Sequence, residues 1–152
     1  MRPQKRGRKI AMTTEELDAF LAEQRTCRVA TTGRDGPHAT PLWFGWDGTD
    51  LWLYSITRAQ RWADLLRDPR VGVVVDAGRD YMQLHGVEIM GTAEVVGDVP
   101  RTGGPDADLA TIEGIFGTKY MAGDMFHDGT HAWLRVRPTK IVSWDFRKLV
   151  NS

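Results

Sequence analysis

The sequence predicts a mainly β domain: a small antiparallel barrel of six or seven strands with short helices inserted between them. Three observations carry this. Short β-prone runs recur along the chain, at residues 28–32, 38–46, 51–55, 70–76, 81–96, 131–136 and 141–146. Clusters of turn formers separate several of them, as at Gly33-Arg34-Asp35-Gly36-Pro37, Asp47-Gly48 and Asp128-Gly129. Helical periodicity is confined to three brief stretches. Many short strands in one small domain close or half-close, because closure removes exposed edges.

The elements follow in order. Thr13 and Glu16 form a capping box, and Leu17, Phe20 and Leu21 fall at i, i+3 and i+4, so a helix should run to about Gln24. Residues 28–32, 38–46 and 51–55 read as a three-strand meander, the last two joined by an Asp-Gly turn. Pro41 lacks an N–H, so its strand must be an edge or irregular there. Ala59, Trp62, Ala63 and Leu66 share a helical face in residues 57–67, with Thr57 and Gln60 as a second capping box and Asp68-Pro69 as the stop. Residues 70–76 form a buried strand. The run 81–96 is interrupted at Gly86 and Gly91, which mark bulges or a barrel bend. Residues 105–121 carry Leu109, Ile112, Ile115 and Phe116 on one helical side. The last strand begins at His131, is broken by Pro138 and resumes at Ile141.

The 152 residues fit one domain, taken as 12–152 behind a flexible basic arm, 1–11. Five of the 20 basic residues lie in the first nine positions, which leaves the body with a net charge of −5. Such an arm binds an anionic ligand or nucleic acid, or is simply a solvated terminus. The acidic body argues against nucleic acid. No run approaches the ~20 apolar residues of a bilayer span, and no apolar signal core follows the basic start. The lone Cys27 reads as a structural thiol and suits a reducing cytoplasm. His127 and His131 flank the Asp128-Gly129 turn without a recognisable third ligand, and His85 and Glu88 fall on opposite strand faces, so no metal site is expected.

Two stretches carry chemistry. In Leu53-Tyr54-Ser55-Ile56-Thr57-Arg58-Ala59-Gln60-Arg61 a strand runs into a helix start with two arginines in its first turns. Helix N–H groups, the Ser55 and Thr57 hydroxyls, and Arg58 and Arg61 together suit phosphate; the alternative is a plain cap with solvated arginines. In His38-Ala39-Thr40-Pro41-Leu42-Trp43-Phe44 the irregular strand leaves backbone polar groups to face a flat heterocycle, beside Trp43 and Phe44. The alternative is core aromatics and an edge proline.

These runs, with the segments 61–76 and 91–96, resemble the pyridoxamine 5′-phosphate oxidase-like superfamily, and within it the flavin/deazaflavin oxidoreductases common in actinobacteria. The resemblance covers roughly residues 12–148. It implies an FMN-binding type of split barrel, homodimeric, with two cofactor sites at the subunit interface. By position, Thr40, Pro41, Leu42 and Trp43 line the isoalloxazine ring, Ser55, Ile56, Thr57, Arg58 and Arg61 hold the phosphate, and Trp144 lies near the partner's site. The cofactor is FMN or the deazaflavin F420, the basic arm favouring F420 with its acidic tail. The expected reaction is hydride transfer between that cofactor and an unsaturated or quinone-like small molecule. The rival is a non-catalytic flavin, deazaflavin or haem carrier. No arginine-rich tail follows Pro138, so vitamin B6 oxidation is not expected, and no catalytic acid or nucleophile is apparent.

Overall fold

The computed structural model describes residues 1–150. Seven antiparallel strands, β1 (Cys27–Gly33), β2 (Gly36–Leu42), β3 (Phe44–Trp46), β4 (Leu51–Ile56), β5 (Arg70–Ala77), β6 (His85–Val96) and β7 (His131–Asp145), form one sheet in the order β2-β1-β5-β6-β7-β4-β3. The helices are α1 (Thr14–Glu23), α2 (Gln60–Arg67), α3 (Ala110–Tyr120) and α4 (Arg147–Val150). The sheet is curled into a half-barrel, consistent with a split barrel. Among the described residues no helix is long and apolar enough to cross a membrane.

The run 38–46 is not one strand. It breaks at Trp43 into β2 and β3, which sit at opposite edges of the sheet. The expected meander is therefore replaced: β1 pairs with β2 and β5, while β3 pairs with β4. A single residue joining both edges requires the sheet to curl until they meet. Pro41 lies on the edge strand β2, opposite Arg28, where a missing N–H is tolerated.

Inside the curl, Val29, Val71, Val73, Val75, Ile89 and Leu134 alternate inward and meet Phe20 and Leu21 of α1. The Thr13–Glu16 capping box is formed, with Thr13 Oγ1 accepting from Glu16 N at 3.1 Å and Glu16 Oε1 from Thr13 N at 2.8 Å. Strand β4 is buried on both faces: Leu51 and Leu53 point inward, and Trp52 and Tyr54 point out under α3. Each such fully buried side chain contributes about 1.5–3 kcal/mol. Helix α3 starts at Ala110, later than the pattern implied, and is pinned by a buried Arg101. Arg101 donates to both Glu113 oxygens at 2.9 and 2.8 Å, and Trp133 Nε1 donates to Glu113 Oε2 at 2.9 Å. Gly45 admits the helix, since a Cβ there would stand 2.6 Å from Ile112 Cδ1.

Three further expectations are corrected. Residues 81–83 form a 3₁₀ turn, and the strand begins at His85. Pro138 does not break β7, which runs unbroken from His131 to Asp145. The register shifts at Met90/Gly91, so Gly91 faces Pro138 and the sheet absorbs the missing N–H in a bulge. The Thr57–Gln60 box is absent. Helix α2 begins at Gln60 behind Ala59, while Thr57 N donates to Thr130 O at 3.0 Å and Gln60 Nε2 to Asp64 Oδ1 at 2.8 Å. The segment 1–11 lies against β7: Arg2 N donates to Thr139 O at 2.7 Å, and Gln4 pairs with both backbone groups of Ser143. Cys27 is fully buried at the start of β1, and burial pushes its thiol up to about 12, which fits a structural role.

The bulge generates a prediction. A Cβ at Gly91 would stand 2.3 Å from Arg137 O, so Gly91→Val should lose at least the 1–3 kcal/mol typical of overpacking (about). Urea unfolding of the two proteins measures it, and equal midpoints would show that the bulge does not need glycine.

Candidate functional site

A cavity of about 330 Å³ opens where the two sheet edges meet. One side is the end of β2 and the link residue, Pro41, Leu42 and Trp43; the other is Tyr54 and Ile56 of β4. Arg61 of α2 closes one end, and Phe116, Phe126, Asp128 and His131 complete the wall.

The seam is held by Tyr120. Its hydroxyl lies 2.7 Å from Arg25 O and 3.0 Å from Phe44 O and accepts from Phe44 N at 3.2 Å. Its ring stacks on Trp43 at 4.3 Å and 8°. Burial raises the Tyr120 hydroxyl to about 12, so it stays neutral and serves as both donor and acceptor.

Arg61 is the anomaly. It is 8% exposed, and its hydrogen-bond partners are two hydroxyls, Thr40 Oγ1 at 2.7 Å and Ser55 Oγ at 3.3 Å. Among the described residues no carboxylate pairs with it. Burial lowers its pKa below the ordinary arginine value, though arginine remains charged. Asp64, one turn further along α2, is the contrast: a fully buried carboxylate with Gln60, Thr31 and Arg67 around it. Hydrogen bonding, Gln60 first, holds it below the ordinary aspartate range. The one acid of α2's buried face is fully partnered and the one base is not, so the cavity end offers a desolvated positive charge to an anion.

Also on the cavity wall, His131 Nδ1 lies 2.7 Å from Asp128 Oδ2, and the imidazole stacks on the Tyr54 ring at 4.8 Å and 14°. Partial desolvation pulls Asp128 upward, but hydrogen bonds from His131 and Thr130 outweigh it and hold the carboxyl well below the usual range. Tyr54 is pushed up to about 12 by burial, and its hydroxyl meets His127 Nδ1 at 3.4 Å.

The structure thus brings Pro41, Leu42, Trp43, Ile56 and Arg61 around one cavity, with Thr40 and Ser55 behind Arg61. Arg58 and Thr57 lie off this wall. Arg58 precedes the helix and is exposed, so the two arginines do not share a helical face. Trp144 lines a separate groove over β1, β5 and β6, with Val74 and Glu88. Tyr54, Phe116, Asp128 and His131 were missed as site residues. Tyr54 sat in the candidate run but only its neighbours Ser55 and Ile56 were singled out, and β7 brings His131 opposite Ile56 from about 75 positions away in sequence.

Residues 13–145 match the family model described as pyridoxamine 5′-phosphate oxidase. A conserved hypothetical protein of Mycobacterium tuberculosis, Rv2991, shares the fold with a TM-score of 0.80 and 28% identity over 97% of this chain and 93% of that one. An F420 reductase superposes with a TM-score of 0.59 and 21% identity over 82% of this chain and 94% of that one. HutZ, the haem storage protein of Vibrio cholerae, gives 0.68 and 15% over 85% and 93%. No curated protein matches in sequence.

The unpaired arginine yields a test on the ligand-free protein. Because its buried charge lacks a counter-charge, Arg61→Met should hold or raise stability, within about 0.5 kcal/mol below wild type at worst. A loss beyond about 1 kcal/mol in denaturant unfolding would show that the charge is already compensated.

Proposed function

The chain belongs to the pyridoxamine 5′-phosphate oxidase family, and on that premise we propose that it is an oxidoreductase that binds FMN or F420 in the seam cavity and reduces an unsaturated or quinone-like small molecule. The buried, acid-free Arg61 carries this reading. It supplies what a phosphate monoester or diester of the cofactor needs: a desolvated guanidinium already oriented by Thr40 and Ser55. The cavity between is apolar and aromatic, as a flat heterocycle requires, and its size falls in the lower range of small-molecule sites.

The residues have separable tasks. Arg61, with the two hydroxyls, would hold the phosphate. Pro41, Leu42 and Trp43 would flank the ring and keep water from it. The bound cofactor supplies hydride transfer; the protein supplies placement and a dry wall. Trp43 and Ile56 are each 45% exposed and Phe126 is 69% exposed, all at the rim of the cavity. We propose that a second copy of the chain covers this rim, with Trp144 of each chain near the other's site. The basic residues Arg2, Lys5, Arg6, Arg8 and Lys9, which favour F420 with its acidic tail, stay exposed while the backbone of Arg2 and the Gln4 side chain attach the segment to β7. The carrier alternative uses the same cavity and the same arginine, and differs in showing no turnover.

Titrating the protein with FMN and with F420, while following its six tryptophans, tests the proposal. One should bind, and Arg61→Ala should weaken it by about 1.5–3 kcal/mol, the range for hydrogen bonds to charged groups. Binding of neither would sink the cofactor assignment. Tight binding without reduction of any quinone acceptor would leave the carrier role in its place.

A further inference from the structure

The wall of the cavity that holds Arg61 also carries a histidine–aspartate pair. His131 is the first residue of β7, held opposite Ile56 by the strand ladder. Its Nδ1 is engaged three ways within the turn, by Asp128 Oδ2 at 2.7 Å, Asp128 Oδ1 at 2.9 Å and Thr130 Oγ1 at 3.0 Å. Its Nε2 has no hydrogen-bond partner among the described residues. The ring lies flat against Tyr54, so it cannot tilt without breaking that contact, and its side chain is 24% exposed. Asp128 needs no histidine to complete the turn, because its Oδ1 already accepts Thr130 N at 2.9 Å.

An imidazole whose Nδ1 is fixed to a carboxylate presents Nε2 in one state at a time. When neutral, Nδ1 carries the hydrogen and Nε2 is a bare base. When protonated, Nε2–H is a donor whose cation the aspartate stabilises. Both residues line the cavity that holds Arg61. We propose that His131, oriented by Asp128, is the proton donor and acceptor of this site, acting through Nε2 on the carbonyl oxygen of a quinone-like substrate. This rests on the oxidoreductase function proposed above.

The His131 imidazolium would give its Nε2 proton to the substrate oxygen, while the bound, reduced flavin or deazaflavin would supply the hydride. The quinone becomes a hydroquinone, the cofactor is oxidised, and His131 is left neutral with a lone pair on Nε2. Water at the exposed edge of the ring restores the proton. In the reverse direction the neutral ring takes the hydroquinone proton. Asp128 touches no substrate in this scheme; it is a positioning residue.

Two measurements test this, one of them independent of any cofactor. In the ligand-free protein labelled with ¹⁵N-histidine, NMR should show neutral His131 with the hydrogen on Nδ1 and Nε2 bare, and Asp128→Asn should abolish that preference. A wild-type ring with its hydrogen on Nε2 would overturn the proposal whatever the cofactor does. In single turnovers of menadione with reduced cofactor at a concentration that saturates the variant, His131→Ala should slow reduction about 100-fold, within the range of general acid catalysis. Added imidazole should restore the rate in proportion to its concentration. An undiminished rate, or a slow one that imidazole does not raise, would overturn the assignment. If wild type binds neither cofactor, the oxidoreductase function fails and takes this step with it, even where the NMR result stands.

Discussion

A single residue, Trp43, joins two strands that lie at opposite edges of a seven-stranded sheet. Everything else in the molecule accommodates that constraint. The link is too short for the edges to remain apart, so the sheet must curl until they meet, and the inward faces of β1, β4, β5, β6 and β7 share one core. Where the edges meet, backbone groups leave the ladder, and the Tyr120 hydroxyl meets both polar groups of Phe44. Tyr120 arrives there because α3 is clamped over β4 and β7 by Arg101, Glu113 and Trp133. The seam is therefore a designed discontinuity, packed on one side by aromatic rings and open on the other as a cavity.

That geometry explains why a charge can be buried at this place. Helix α2 must cross the end of the curl to bring the chain from β4 to β5, and its inward face carries Arg61 and Asp64. Water is excluded from both. Asp64 is satisfied by neighbours from β1 and α2 and contributes to the fold, whereas Arg61 meets hydroxyls alone. A guanidinium held this way costs stability in the empty protein, because its attraction to neutral oxygens does not replace its hydration. Such a cost persists where a ligand offsets it, which is why Arg61, and not the more visible Arg58, is the residue proposed to bind the anion.

Much of this was legible in the chain. β-Prone runs between turn formers located the strands, Pro41 marked an edge, Gly91 marked a bulge, and Ser55 and Arg61 stood out before any geometry was known. The failures share one cause: local patterns do not report partners distant in sequence. Residues 38–46 look like one continuous strand because both halves are β-prone, and only the edge-to-edge closure reveals the break at Trp43. Thr57 and Gln60 have the spacing of a capping box, but the carbonyl of Thr130 takes the Thr57 N–H and Asp64 takes the Gln60 amide. Pro138 looks like a terminator until the facing Gly91 supplies the slack. His127 and His131 read as two ligands lacking a third, whereas His131 meets an aromatic ring from another strand, which no metal-ligand spacing encodes.

Arg61 and the His131–Asp128 pair line the same cavity but have different proposed tasks. A carrier would use the arginine and the apolar walls, which act on a bound molecule as a whole and prefer no reacting atom. A partly desolvated imidazole and carboxylate cost free energy to bring to an apolar wall, and the turn they occupy is already closed by the Asp128–Thr130 hydrogen bond. Strand register, ring stacking and the carboxylate together fix which nitrogen of His131 remains available. Orientation of that kind has value when a proton must reach or leave one defined atom, as in the step proposed for His131.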